Sequence, residues 1–290
     1  MLTGGLVEDL QKAFGLRIIG HKSERGGDVA DSYSIKTPEG DFFVKTLSGP
    51  LAYQMLSAES DGLKALKKAA SLPVPRVYGC ARTSSGAALL MEYVRAQKGS
   101  RASHESLGRG LAFLHRVTNE VYGWHCDNFI GRLPQKNGWE TEWPVFFARY
   151  RLKVQFDMAV SSGLLAAHEI PQTGHMTQKI KALLPEIKPS LLHGDLWSGN
   201  YLISTEHTPY LIDPSVYYGH SEVDIAMSRL FGGFSSAFYD AYFEICPPQP
   251  GMEVRITLYQ LYYLLVHLNC FGLSYRDSVL EASKRIFGGN

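Results

Sequence analysis

The string His193-Gly194-Asp195-Leu196-Trp197-Ser198-Gly199-Asn200, with Leu211-Ile212-Asp213-Pro214 after it, holds the residue types that phosphoryl transfer requires. That chemistry needs one carboxylate beside the attacking hydroxyl. It also needs an amide oxygen and a second carboxylate to hold magnesium against phosphates. Asp195 is the candidate catalytic base, and Asn200 and Asp213 are the candidate metal ligands. Any one of them alone reads as an ordinary loop or strand-end residue. Their joint spacing carries the signal, because a motif gains specificity with every position it fixes.

These groups need elements to position them. Leu191-Leu192 is a short apolar run that anchors the loop, and residues 201–204 and 210–213 read as two short strands around the turn Thr205-Glu206-His207-Thr208-Pro209. Such a hairpin brings Asn200 and Asp213 close together. His193, just before the base, is expected to brace the loop by hydrogen bonding. Upstream, residues 33–37 and 41–46 form a second hairpin through Pro38-Glu39-Gly40, with Lys45 near its end. Gly26-Gly27 precedes it. A glycine pair alone is usually just a turn, but ahead of Lys45 it reads as a loop that covers phosphates with its backbone amides.

Residues 51–68 have helical periodicity, and Ala52, Met55, Leu56, Leu63 and Leu66 share a face with Glu59. A carboxylate turned toward an apolar face needs a cation. Lys64, Lys67 and Lys68 lie on the solvent side, so Lys45 is the expected partner, in the arrangement that holds a lysine against the α and β phosphates. Residues 87–94 read as a strand leading out of this region.

Leu107, Leu111, Leu114 and Val117 mark an amphipathic helix, with His115 read as a core residue. Ser221-Glu222-Val223-Asp224 fits a capping-box variant ahead of a helix at 225–231, with Asp224 satisfying free amides. Residues 256–268 are the most apolar segment. It contains Gln260 and His267 and falls short of the roughly 20 apolar residues that span a bilayer, so it reads as a buried helix. Trp197, two residues from Asp195, is placed to pack against an acceptor. His220 and Asn128 are the polar candidates for contact with an acceptor, with Tyr217, Tyr218, Gln135 and Trp139 behind them.

The 290 residues, 45% hydrophobic, are enough for one large domain or two lobes. A net charge of +1 without a basic run argues against nucleic acid as a partner. Cys80, Cys126, Cys246 and Cys270 are scattered without a CxxC pair, and His125-Cys126-Asp127 has no second cluster at ligand spacing. A reduced, cytoplasmic protein with no signal peptide and no membrane anchor is expected.

The string HGDLWSGN, with LIDPSVYYGHSEVDIAMSRLFGGF after it, resembles the fructosamine kinase (ketoamine kinase) family. Phe42-Phe43-Val44-Lys45, Glu59 with Gly62-Leu63, Leu90-Met91-Glu92-Tyr93 and Asn128-Phe129-Ile130-Gly131 with Pro134-Gln135, Asn137 and Trp139 continue the likeness in the family's order. The resemblance implies an α+β, bilobal protein-kinase-like fold of the aminoglycoside phosphotransferase type. Residues 1–94 would be a small antiparallel nucleotide-binding lobe, and residues 95–290 a mainly helical lobe carrying the catalytic loop. It also implies ATP and magnesium as cofactors, adenine recognition along Glu92-Tyr93-Val94, and a second role for Asp224 in fixing the catalytic loop's backbone. The activity it implies is phosphorylation of a sugar hydroxyl on fructosamine-type or ribulosamine-type adducts, which deglycates amines; the sugar ring is then what Trp197 would pack against. The same chemistry on an aminoglycoside, choline or a free sugar is the alternative, and a noncatalytic nucleotide-binding module is a remote one.

Two departures from regulated protein kinases stand out. Gly194 sits where those enzymes carry an arginine, so no phosphorylation switch is expected, and Pro214-Ser215 follows Asp213 in place of a Phe-Gly pair. Residues 23–30 contain no cysteine, so redox control at the glycine loop is not expected.

Overall fold

The computed structural model describes residues 2–24 and 30–288. Its contacts divide the chain into two compact units: Met1–Ser103 with Gly199–Pro214, and His104–Ser198 with Ser215–Asn290.

The first unit is built on a five-stranded antiparallel sheet in the order Gly20–Glu24, Asp31–Thr37, Gly40–Ser48, Gly86–Glu92, Val77–Thr83. Ala87, Ala88, Leu89, Leu90 and Met91 are all buried, because both faces of this inner strand are covered. On one face Tyr33, Ile35, Val44, Ala88 and Leu90 cluster with Leu2 and Leu10, the latter from the Gly4–Phe14 helix. The other face carries the Ala52–Ala69 helix through Ala52, Leu56, Leu63 and Leu66. Each valine, leucine or isoleucine among them contributes about 1.5–3 kcal/mol by leaving water. Successive strand residues alternate between faces. With Val44 in the first cluster, Lys45 is turned to the helix side, opposite Leu89.

The helix keeps its expected face, except that Met55 is only partly buried, and Lys64, Lys67 and Lys68 are exposed. The expected hairpin at 201–213 is present in shortened form: Tyr201–Ser204 pairs with Pro209–Leu211, and Ala96–Gln97 adds a third strand.

The second unit surrounds the 20-residue Met252–Phe271 helix. Leu258, Tyr259, Leu261, Tyr262, Tyr263, Leu265 and Leu268 are buried around most of its circumference, and the side bearing Thr257, Gln260, Leu264 and His267 is partly buried. Glu222–Leu230, Val154–Ser161 and Arg276–Phe287 pack on it. Arg255 is 1% exposed and grips Glu222 with both forks, Nε to Oε2 and Nη2 to Oε1 at 2.7 Å each. Trp143–Phe146 continues into a π-helical turn at Phe147–Lys153 and then into the helix Val154–Ser161, a run that no expectation anticipated. Two short antiparallel pairs, Ser190–Leu192 with Tyr217–Gly219 and Asn128–Ile130 with Leu133–Gln135, complete the unit. Among the described residues no helix is long and apolar enough to cross a membrane.

Candidate active site

In the first unit the strand geometry delivers Lys45 to the face where Glu59 waits. Lys45 is 7% exposed, with Nζ 2.8 Å from Glu59 Oε1 and ion-paired to Asp213 Oδ1 as well. Burial alone would pull the ammonium's pKa down. The charges of Asp213 and then Glu59 outweigh it, and the pKa is raised. Glu59 moves up to about 7, first because it is buried and against the pull of Lys45; the negative charge of Asp213 adds to the rise. Two carboxylates therefore compete for one ammonium, so Lys45 stays charged and fixed in place.

Asp213 stands just past the strand Pro209–Leu211, with φ 54°, in the left-handed region that few non-glycine residues occupy. Asn200 is 4% exposed at the other end of the hairpin. Ile212 N donates to its carbonyl at 3.0 Å, and its Nδ2 donates to the Asp213 carbonyl at 3.4 Å. With the amide nitrogen so engaged, Oδ1 is the atom that can meet a cation. An amide oxygen and a carboxylate are the hard oxygen donors magnesium prefers, and magnesium commonly takes one or two protein carboxylates and completes its shell with water and phosphate oxygens. The donor set fits that metal. Among the described residues no group of three or more His, Cys, Asp or Glu side chains has the arrangement of an all-protein metal site.

Glu92, Tyr93 and Val94 are half-buried where the strand Gly86–Glu92 ends. The Glu92 amide donates to the Arg76 carbonyl at 2.8 Å, and its carboxylate accepts from Arg76 N at 3.0 Å. Tyr93 Oη reaches Glu24 Oε1 at 3.4 Å. Gly26 and Gly27 lie outside the described residues.

In the second unit the His193-Gly194-Asp195 loop hangs on Asp224. That carboxylate is 0% exposed and accepts from His193 N at 2.8 Å through Oδ2 and from Gly194 N at 2.9 Å through Oδ1. His115 Nε2 meets Oδ2 at 3.1 Å, while its Nδ1 meets Tyr242 Oη at 2.8 Å. His115 is thus a satisfied core histidine that also holds the loop's anchor, a link no local pattern could show. The capping box does not form. Ser221 is the N-cap of the Glu222–Leu230 helix without a side-chain cap, and Asp224 spends its oxygens on the distant loop. His193 is 0% exposed, and its Nδ1 accepts from Asp195 N at 3.3 Å.

Gly194 has φ 85°, and a Cβ there would meet the Ser215 carbonyl oxygen at 2.0 Å. No side chain fits, the arginine of regulated kinases included. Gly194→Ala must displace either the loop or the segment at Ser215. The left-handed backbone adds about 1–2 kcal/mol of strain, and with Asp195 as the proposed base a shift of about 1 Å beside it would cost about 10²-fold in kcat. Steady-state kinetics on folded Gly194→Ala protein check this.

Trp197 is 37% exposed. The other two acceptor candidates stand differently. Asn128 is 5% exposed, donates from Nδ2 to the Val216 carbonyl at 2.8 Å and accepts from Gln135 and Asn137. His220 is 6% exposed with Nδ1 on Tyr259 Oη at 2.7 Å. The Asn128 amide and His220 Nδ1 therefore serve the scaffold, and contact of either residue with an acceptor stays a proposal. Tyr217 is likewise core at 0% exposed, beneath Arg151.

A chain with this arrangement has clear relatives. The family model described as fructosamine kinase matches residues 6–287. The chain belongs to the fructosamine kinase family. A protein-ribulosamine 3-kinase, chloroplastic, from Arabidopsis thaliana is 38% identical over 262 residues, covering 88% of this chain and 79% of that protein. The crystal structure of a candidate fructosamine-3-kinase from Haemophilus somnus superimposes with a TM-score of 0.86 at 29% identity, over 97% of this chain and 96% of that one. A choline kinase from Streptococcus pneumoniae shares the fold alone, with a TM-score of 0.66 at 15% identity over 97% of each chain. The expected α+β, protein-kinase-like fold class is therefore the one observed.

Family membership leaves the state of His220 to this chain's own packing. Burial, followed by the charges of Arg255 and His115, lowers its pKa to about 3. Glu222 lies 3.9 Å from its Nδ1 and would act in the opposite sense, but that carboxylate is committed to Arg255. His220 stays neutral in the folded protein, while in the unfolded chain it titrates near 6.5. Below that pH the unfolded state binds the extra proton, so stability falls as pH drops from about 6.5 toward 3. At pH 5 the loss is about 2 kcal/mol. Urea melts at pH 7 and 5 should show His220→Gln losing that much less than wild type; equal losses would contradict the assignment.

Proposed function

We propose that this chain transfers the γ-phosphoryl group of ATP to a sugar hydroxyl of ketoamines, the fructosamine or ribulosamine adducts of amines. The observation that carries the reading is Lys45 held between Glu59 and Asp213 in a fructosamine kinase family member, with Asn200 bonded to Asp213. A lysine so oriented is a rigid cation for the α and β phosphates. In this reading Asn200 and Asp213 hold magnesium, which when bound neutralises charge on the phosphates. Gly26 and Gly27 cover the phosphates, and the Glu92-Tyr93-Val94 backbone meets the adenine edge.

Asp195 orients the acceptor hydroxyl and takes its proton. An alkoxide is too basic to exist free at neutral pH, so the proton leaves as the new O–P bond forms and the bond to ADP breaks. Trp197 packs on the sugar. His193 and Asp224 hold the loop, and Asp224 acts from behind it. The resulting sugar phosphate ester weakens the ketoamine link and frees the amine. No disulfide joins the described cysteines, and a reducing, cytoplasmic setting is part of this reading.

The test is a panel of ribulosyl-lysine, fructosyl-lysine, an aminoglycoside, choline and free ribose, each with ATP and magnesium, and mass spectrometry of the products. Phosphorylated ribulosyl- or fructosyl-lysine formed in preference to the others is expected. Preference for the aminoglycoside, choline or the free sugar would replace the acceptor assignment, and nucleotide binding with no product anywhere would overturn the kinase reading.

A further inference from the structure

Arg151 is wholly buried on the π-helical turn Phe147–Lys153, with its guanidinium 3.9 Å from the centroid of the Tyr217 ring. It donates to neutral acceptors, the Lys136 carbonyl at 2.5 Å and Asn137 Oδ1 at 2.6 Å. A guanidinium in a core is costly compared with a methionine or leucine of like volume. What it sits at the head of gives it a use.

From Arg151 a relay of amides runs in one direction. Asn137 accepts from Arg151 and donates through Nδ2 to Asn128 Oδ1 at 2.8 Å. Asn128 accepts a second bond there from Gln135 Nε2, at 2.8 Å, and donates through its own Nδ2 to the Val216 carbonyl at 2.8 Å. Gln135 Nε2 also reaches the Ser215 carbonyl at 3.3 Å, and Tyr262 Oη donates to Gln135 Oε1 at 2.6 Å. No amide in this relay can be flipped without setting two donors or two acceptors against each other. The cation at the start fixes the sense of every dipole and strengthens the last bonds, onto the carbonyls of Ser215 and Val216.

Those carbonyls belong to the segment that backs the loop bearing Asp195. Ser215 N donates to the His193 carbonyl at 2.8 Å, and the Ser215 carbonyl is the wall that excludes a side chain at Gly194. Tyr263, next to Tyr262, donates to the Gly194 carbonyl at 2.8 Å. We propose that Arg151, acting through Asn137, Asn128 and Gln135, is a positioning residue for the phosphoryl-transfer loop, holding Ser215–Val216 so that His193-Gly194-Asp195 keeps one conformation. The proposal deepens the ketoamine kinase reading and, for its kinetic part, rests on it.

The experiment uses the full chain with Arg151→Met, Arg151→Lys, Asn128→Ala, the double variant Arg151→Met/Asn128→Ala, and Arg255→Lys. Arg255 grips Glu222 in the same unit but takes no part in the relay, so its variant controls for general destabilisation. With ribulosyl-lysine as acceptor, Arg151→Met and Asn128→Ala are expected to lower kcat by about 10- to 100-fold and to leave KM for ATP within about 2-fold. Arg151→Lys, which keeps the charge, should recover part of the loss. The double variant should fall no further than the worse single, because the relay acts as a unit. Hydrogen exchange followed by mass spectrometry should show faster exchange in the peptide containing His193 and Gly194 for the relay variants and not for Arg255→Lys, although that variant lowers Tm. Wild-type kcat in folded relay variants, additive losses, or unchanged exchange in the loop would each overturn the proposal. If the wild type phosphorylates no ketoamine, the functional reading fails, and the exchange data still judge the relay.

Discussion

Replacing Asp195 with asparagine is expected to lower kcat by about 10²- to 10⁴-fold, the range a positioned proton acceptor contributes, with ATP affinity left nearly unchanged. The asymmetry follows from what each group is asked to do. The amide keeps the side chain's shape and can still accept a hydrogen bond from the acceptor hydroxyl, but it cannot take that proton at neutral pH. Lys45, Glu59, Asn200 and Asp213, the proposed nucleotide and metal residues, all remain in this variant. The loop that carries Asp195 is fixed through the amides of His193 and Gly194 and by Ser215, none of which depends on the Asp195 carboxyl. Calorimetric titration with ATP and magnesium beside initial-rate kinetics separates binding from turnover. Turnover at the wild-type rate would remove Asp195 from the proposed chemistry, and loss of nucleotide binding with loss of turnover would move it to the nucleotide.

Asp224→Ala is the change with the largest expected effect on folding. Its carboxylate is buried and serves two backbone amides and His115 at once. Truncation leaves each of those groups in a dry interior without its partner, at about 1–3 kcal/mol per orphaned group, so a loss of at least about 3 kcal/mol is expected. Asp224→Asn should be intermediate in stability yet still slow, because one of its two heads would face the loop amides as a donor. Denaturant melts of both variants, with ATP affinity measured on the folded fraction, distinguish loop damage from loss of a nucleotide contact. An Asp224→Ala protein as stable and as active as wild type would show that the loop does not need its anchor.

The pairing of Lys45 with Glu59 was legible before any coordinates, because a carboxylate on an apolar helix face has few places to find a cation, and strand alternation sends Lys45 to that side. The approach of Asn200 to Asp213 was legible for a similar local reason: a short hairpin returns the chain to its start. Asp224 shows where local reasoning stops. Four residues at the head of a helix look like a cap, but the amides that Asp224 serves come from residues 193 and 194, and sequence proximity says nothing of them.

The scaffold bonds of Asn128 and His220 were hidden for a related cause. A polar side chain in a motif can turn toward a ligand or toward its own fold, and only the positions of its partners decide. Gly194 carries two pieces of information, a positive φ and the nearness of the Ser215 carbonyl, and the sequence displays only the missing side chain. Arg151 was invisible altogether, since a π-helical turn has no simple apolar period and every bond of the relay but the Asn128–Gln135–Asn137 group joins distant parts of the chain.

A single-turnover rapid-quench experiment, with enzyme in excess over ATP labelled in the γ-phosphate and with ribulosyl-lysine and magnesium present, tests the central claim most directly. Label passing from ATP into ribulosyl-lysine phosphate, with none of it released to water, is the result expected. Label appearing as inorganic phosphate, or remaining in ATP while the ketoamine is bound, would contradict it.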